Sequence, residues 1–86
     1  MDQDTEDRIC DFLMSLSEEA RKLGVVLVLE NEHACMLGTG AETARILSRV
    51  GSVNLAGCWD PGNAFLCGER PFPEGYDAMH PFIKHI

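Results

Sequence analysis

The sequence has no hydrophobic run long enough to cross a membrane. Its longest uninterrupted apolar stretch covers only residues 25–29, whereas a membrane-spanning helix needs about 20 apolar residues. The first residues, Met1, Asp2, Gln3 and Asp4, are acidic where a secretory signal is basic, and no cleavage site follows an apolar stretch. We therefore predict a soluble, cytoplasmic protein with no membrane partner.

Basic residues are also scarce, with 7 Lys and Arg against 14 Asp and Glu, which gives a net charge of -7. Phosphate backbones are repelled by such an excess of negative charge, so we expect no nucleic-acid partner. The sequence contains no CxxC pair, which favours free thiols over a disulfide framework or a zinc site. The cysteines are Cys10, Cys35, Cys58 and Cys67.

Hydrophobic periodicity predicts the first helices and strands. A helix is expected over residues 5–23, beginning at Asp4 or Thr5 and ending before Gly24. Its predicted apolar face consists of Ile9, Phe12, Leu13, Leu16, Ala20 and Leu23. An unbroken apolar strand over residues 25–30 follows, and such strands are typically covered on both faces. Thr39 and Glu42 then have the spacing of a capping box, which predicts a second helix.

The second half of the chain continues the alternation of helix and strand. A strand is predicted over residues 53–60, a long loop over residues 63–75, a short helix over residues 76–82 and the start of a third strand over residues 83–86. Short connections between alternating elements predict right-handed βα units and a parallel sheet. With 86 residues there is room for one α/β domain of about two and a half βα units.

Both predicted strands end in a carboxylate, Glu30 in the first and Asp60 in the second. Parallel α/β folds place their active sites at the carboxyl ends of the strands, and neighbouring strands lie roughly 5 Å apart. Two carboxylates that approach one point repel each other unless a proton or a cation lies between them. A divalent cation would relieve this repulsion. Alternatively, each acid caps the following helix or pairs with a surface Lys or Arg.

Four segments of the sequence, in this order, resemble the xylose isomerase-like TIM barrel superfamily. They are LENE at residues 29–32, Thr39-Gly40 ahead of a helix, WDPGNA at residues 59–64, and Tyr76 leading to IKHI at residues 83–86. The superfamily contains sugar and sugar-phosphate isomerases and epimerases, and also the endonuclease IV branch of DNA repair enzymes. The resemblance implies a (β/α)8 barrel of which residues 1–86 supply a central portion, because a complete barrel needs about 250 residues.

The resemblance also implies roles for individual residues. Glu30 and Asp60 correspond to the first two ligands of one divalent metal ion (Mn, Mg, Co or Zn), and Glu30 is in addition the candidate catalytic base. The substrate would be a small carbohydrate or sugar phosphate that reacts through a metal-stabilised enediolate. His85 corresponds to the first histidine of an H-x-H signature. Together with Asn31 and Asn63 it is predicted to contact the substrate. Alternatively, His85 supports the site or is a plain strand residue, and Asn63 stabilises its own loop.

Two other functions are considered. The first is DNA repair by the endonuclease IV branch of the superfamily. Asn63 stands where ketose 3-epimerases and the trinuclear zinc endonucleases have His, and because an amide is a poor zinc ligand, Asn63 disfavours both branches. The second alternative is a noncatalytic fragment that self-associates through an exposed sheet edge. Strand alternation predicts that Trp59 faces away from Asp60 and packs against helices. Phe65 and Phe72 either form the wall of a sugar pocket or anchor the predicted loop.

Overall fold

A parallel sheet of three strands forms the centre of the fold. The computed structural model describes residues 2–32 and 37–85, and for His85 it describes the backbone. Strands β1 (Leu27–Glu30), β2 (Leu55–Cys58) and β3 (Ile83–His85) pair in the order β1-β2-β3. The predicted parallel α/β architecture is therefore confirmed. None of the helices in this part of the chain combines the length and the apolar character that crossing a membrane requires.

Helices α1 (Gln3–Leu23) and α2 (Gly40–Val50) flank β1 in the sequence, and local side-chain bonds determine where they begin. In α2 the predicted capping box is confirmed, since Thr39 and Glu42 each accept a bond from the backbone of the other. The prediction that α1 begins at Asp4 or Thr5 is wrong. Asp2 caps this helix, because its carboxylate accepts a hydrogen bond of 2.8 Å from the backbone N–H of Thr5.

The connection from β2 to β3 is more regular than the sequence pattern predicts. It contains α3 (Pro61–Leu66), a kinked turn (Pro71–Gly75) in which Phe72 has extended backbone, α4 (Tyr76–Met79) and a 3-10 turn (His80–Phe82). The predicted short helix before β3 is confirmed, but the prediction of a loop over residues 63–75 is wrong for its first residues. Asp60 caps α3 and Pro61 occupies its first position, where the fixed φ of proline suits a helix.

The helices cover one face of the sheet. Trp59 is 1% exposed in the core under this helix layer, and Leu27, Leu29 and Ile83 pack against the same core. The absence of a side chain at Gly57 lets α4 approach β2 closely, since a Cβ there would lie 2.6 Å from Cε of Met79. The core consists of Cys10, Leu13, Leu37, Ala44, Ile46, Leu47, Leu55, Trp59, Ala64 and Met79.

The other face of β1 is exposed, so the prediction that this strand is covered on both faces is wrong for the described residues. Val28 is 46% exposed and Val26, just before the strand, is 50% exposed. We call the surface formed by Val28, Glu30, Cys58 and Asp60 the open face. It is the face opposite the helix layer, because alternate residues of a strand point to opposite sides of a sheet.

The predicted apolar face of α1 is confirmed for Ile9, Leu13 and Ala20, which are buried or pack against the core, and is wrong for its other three residues. Phe12, Leu16 and Leu23 belong to the predicted apolar face but are 65%, 40% and 75% exposed. The buried residues of α1 are Glu6, Cys10, Leu13, Ser17 and Ala20. Glu6 joins this buried side of α1 to α2, because its carboxylate pairs with Arg45 at 3.0 Å and also with Arg49, both on α2.

Replacing Glu6 by Gln is expected to weaken the attachment of α1 to α2. The Glu6 side chain is 7% exposed, and Gln lacks its charge and one of the two oxygens that pair with the arginines, which we expect to cost about 2 kcal/mol. Glu19→Gln is the matched control, because Glu19 is 65% exposed and pairs only across one turn with Lys22. It should cost under about 0.5 kcal/mol. Urea unfolding of both variants checks this, and equal losses would contradict the bridging role of Glu6.

Candidate functional site

The two strand-ending carboxylates lie at the same edge and on the same face of the sheet. Glu30 is paired in register with Cys58 on the neighbouring strand. Cys58 and Asp60 are separated by one residue of extended chain, so they share the open face while Trp59 points into the helix layer. The predicted orientation of Trp59 is thereby confirmed. Glu30, Cys58 and Asp60 form the centre of the candidate site.

Cys58 lies between the two carboxylates, and no motif in the sequence marks it as a site residue. Its thiol donates a hydrogen bond of 3.7 Å to Oε2 of Glu30. Burial raises the pKa of the Cys58 thiol, and the negative charges of Glu30 and Asp60 raise it further. Cys58 is therefore a neutral hydrogen-bond donor to Glu30 at neutral pH. Its position two residues before Asp60 is the signal that would have placed it on the open face.

Asp60 is held in place by the first turn of the helix that it caps. One carboxylate oxygen accepts a bond of 3.0 Å from the backbone N–H of Asn63, and the other accepts a bond of 3.1 Å from Nδ2 of the same residue. The alternative that a strand-ending acid caps the next helix is thus confirmed for Asp60. A carboxylate has about four acceptor positions, so these two bonds leave the remaining positions available to a cation.

Asn31 joins the ends of β1 and β2. Its side chain is fully buried, with Oδ1 accepting from the backbone N–H of Asp60 at 2.8 Å and Nδ2 donating to the backbone carbonyl of Asp60 at 2.8 Å. Nδ2 also donates to the carbonyl of Gly38 at 3.1 Å. The carbonyl of Asn31 in turn accepts a bond of 2.8 Å from Nδ2 of Asn63. Both asparagines therefore determine where Asp60 lies.

The carboxylate of a residue distant in sequence contacts the start of α2 at the same edge of the sheet. Glu69 accepts hydrogen bonds from the backbone N–H groups of Gly40 at 2.7 Å and of Ala41 at 3.1 Å. These groups form the N-terminus of α2, where the helix dipole favours an anion. No local pattern in the sequence predicts this contact, because the residues are 28 and 29 positions apart.

Four of the predicted site residues, Glu30, Asn31, Asp60 and Asn63, lie at one edge of the sheet. The backbone of His85, on β3, pairs with that of Cys58 on β2, and the His85 side chain lies outside the described part of the structure. Cys10 and Cys58 are free thiols, as predicted, and Cys35 lies outside the described residues. Within residues 2–32 and 37–85, no group of three or more His, Cys, Asp or Glu side chains is arranged to hold a metal ion.

Replacing Asn31 by Asp should destabilise the protein by about 2 to 3 kcal/mol. The substitution keeps the shape but removes the Nδ2 donor, which leaves the carbonyls of Gly38 and Asp60 facing an acceptor. Asn54→Asp is the matched control, because Nδ2 of Asn54 donates to the carbonyl of Val25 at an exposed position. Chemical unfolding of the two variants measures the difference. Equal stability of Asn31→Asp and the unsubstituted protein would show that the amide bonds contribute nothing.

The comparisons with known proteins agree with this geometry. The family model described as Xylose isomerase-like TIM barrel matches residues 2–86. No curated protein and no solved structure matches the chain. The three parallel strands with their intervening helices agree with part of an eight-stranded barrel of this kind, and the carboxyl ends of such strands carry the active site. The chain therefore belongs to the xylose isomerase-like TIM barrel family.

Proposed function

We propose that Glu30 and Asp60 contribute to the divalent-metal site of a sugar isomerase or epimerase. The observation that carries the proposal is the register of β1 and β2, in which Glu30 is opposite Cys58 and Asp60 lies on the same face of the sheet. Membership of the family supports it, because active sites of TIM barrels lie at this edge. A sugar isomerase or epimerase is thus the reaction class that best suits these residues.

The chemistry of the two side chains fits a divalent cation. Carboxylate oxygens suit Mg²⁺ and Mn²⁺, and they also bind Co²⁺ or Zn²⁺ when imidazoles complete the site. The bonds from Asn63 to Asp60 are the kind of support that orients ligating carboxylates in metal sites. Such a cation, when bound, polarises the substrate carbonyl and stabilises the negative charge that develops on its oxygen.

The surroundings of the two carboxylates suggest different roles for them. Asp60 accepts two bonds from Asn63 and its backbone is held by Asn31, so its position is well defined, as a ligand requires. Glu30 is exposed and contacts the Cys58 thiol. We therefore assign to Glu30 the additional role of base, which takes a proton from the carbon next to the substrate carbonyl. The thiol of Cys58 then helps to orient that carboxylate.

The asparagines have a positioning role in this proposal. The side-chain amide of Asn31 uses both its oxygen and its nitrogen in bonds to the backbone, so it acts on a substrate through the position of Asp60. Asn63 acts in the same way through the Asp60 carboxylate. The predicted contact of His85 with the substrate stays part of the proposal, as does a small carbohydrate as the substrate.

The double variant Glu30→Gln with Asp60→Asn tests the metal site. We expect it to weaken Mn²⁺ binding by more than about tenfold, because two anionic ligands become neutral amides. Asn caps helices about as well as Asp, so α3 should keep its start. Calorimetric titration with Mn²⁺ measures the affinity. The control is Glu19→Gln with Asp11→Asn, which removes two exposed carboxylates of α1, and an equal affinity in both double variants would refute the proposed site.

Self-association is a second candidate, and the exposed apolar residues at β1 favour it. Val25, Val26 and Val28 are 46%, 50% and 46% exposed, beside a strand that pairs on one side only in the described sheet. Such an edge promotes pairing with another chain, and a Lys side chain opposes it. If the unsubstituted chain associates, Val28→Lys should lower the sedimentation coefficient, because the variant dissociates. An unchanged coefficient would exclude this edge as the contact, and Val53→Lys, at an 89% exposed position, is the control.

A further inference from the structure

The chain that follows α3 packs closely against the residues that lead into α2. The sulfur of Cys67 lies against Gly38, since a Cβ at Gly38 would lie 2.2 Å from Sγ of Cys67. The carbonyl of Gly75 lies against Gly40, where a Cβ would be 2.6 Å from the carbonyl oxygen. Gly38, Gly40 and Gly75 are all buried. We call residues 67–75 the clamp segment, because they contact the start of α2 at both ends.

Glu69 makes the polar contact between the clamp segment and α2. Its Oε1 accepts a bond of 2.7 Å from the backbone N–H of Gly40, and its Oε2 accepts a bond of 3.1 Å from that of Ala41. The first N–H groups of a helix have no acceptor within the helix, and the helix dipole strengthens their bonds to a carboxylate. Glu69 therefore fixes the first turn of α2 relative to the clamp segment.

The first turn of α2 is in turn bonded to the backbone of Gly38. Oε1 of Glu42, which belongs to that turn, accepts bonds from the backbone N–H groups of Gly38 at 3.3 Å and of Thr39 at 3.1 Å. A displacement of the first turn would consequently carry Gly38 with it. The position of Gly38 thus depends on the bonds that Glu69 makes.

The carbonyl of Gly38 connects these bonds to the candidate site. It accepts the bond of 3.1 Å from Nδ2 of Asn31, whose side chain also makes the two bonds of 2.8 Å to the backbone of Asp60. The Asn31 side chain is fully buried, so a bond that it loses is not replaced by water without cost. Movement of the Gly38 carbonyl would therefore reorient the amide and displace Asp60.

We propose that Glu69 is a positioning residue for Asp60. It acts through the first turn of α2, and then through the bond from Asn31 to the Gly38 carbonyl. Both oxygens of Glu69 accept bonds from α2, so its role does not require contact with a cation or a substrate. The consequence for metal binding rests on the proposed function, in which Asp60 is a ligand.

Nuclear magnetic resonance of the metal-free protein tests the inference, with the side-chain amide of Asn31 as the probe. Glu69→Gln keeps the length of the side chain but replaces one of its two acceptor oxygens by a donor. We expect the Nδ2 proton signals of Asn31 to move upfield as the bond to Gly38 lengthens, and the backbone N–H signal of Asp60 to shift. Chemical shifts report the geometry of the folded molecules, so a uniform loss of stability leaves them unchanged.

Glu74→Gln is the matched control for this measurement. Glu74 belongs to the same segment, but its side chain is 52% exposed and pairs with Arg70. The same chemical change at this position should leave the signals of Asn31 and Asp60 in place.

Titration with Mn²⁺ provides a second readout. Glu69→Gln should weaken Mn²⁺ binding about tenfold, as expected when a residue that orients a ligand is lost, and Glu74→Gln should not. Gly38→Ala addresses the later step, because its Cβ would lie 2.2 Å from Sγ of Cys67. It should reproduce both effects, and Cys67→Ala in the same chain should reverse them by removing the sulfur.

Unchanged signals of Asn31 and Asp60 in Glu69→Gln or in Gly38→Ala would overturn the inference. So would equal shifts in Glu74→Gln, or an unchanged Mn²⁺ affinity in a protein whose signals have moved. Failure of the proposed metal site is recognised separately. In that case the unsubstituted protein binds no Mn²⁺, whereas the signals of the metal-free protein still respond to Glu69→Gln.

Discussion

The candidate site depends on one buried amide. The Asn31 side chain pairs with both the N–H and the carbonyl of Asp60, as a backbone segment of a neighbouring strand would. The bonds lie in a fully buried position, where an unmade bond costs about 1 to 3 kcal/mol. Glu30 directly precedes this amide in the sequence, and α3 begins directly after Asp60. Both candidate ligands and the helix that carries Phe65 are therefore placed by the same interaction.

Four of the 14 acidic residues have structural roles within the fold. Asp2, Asp60 and Glu69 each accept bonds from backbone N–H groups near a helix N-terminus. Glu6 connects α1 to α2 by pairing with two arginines. These carboxylates therefore satisfy backbone N–H groups and arginines of the fold internally.

Local patterns in the sequence predicted local structure well and distant contacts poorly. The capping box of Thr39 and Glu42 was predictable because its partners are three residues apart. Helix α3 could have been predicted too, since Asp60 followed by Pro61 is a helix start. The contact of Glu69 with α2 joins segments distant in sequence, which only the folded chain brings together. Phe12 and Leu16 have helical spacing, but periodicity cannot distinguish a buried face from an exposed one.

The exposed valines of β1 and the carboxylate that follows them have a common explanation. Val26, Val28 and Glu30 alternate along one face of the strand, so the two apolar positions come first and the carboxylate comes last. The interior of a TIM barrel is filled by layers of branched side chains, and catalytic groups lie above them at the carboxyl ends of the strands. The open face has this order, with Val28 beneath Glu30. The alternation that exposes Val28 in the three-stranded sheet is therefore the same alternation that directs Glu30 to the active-site edge of the family's barrel.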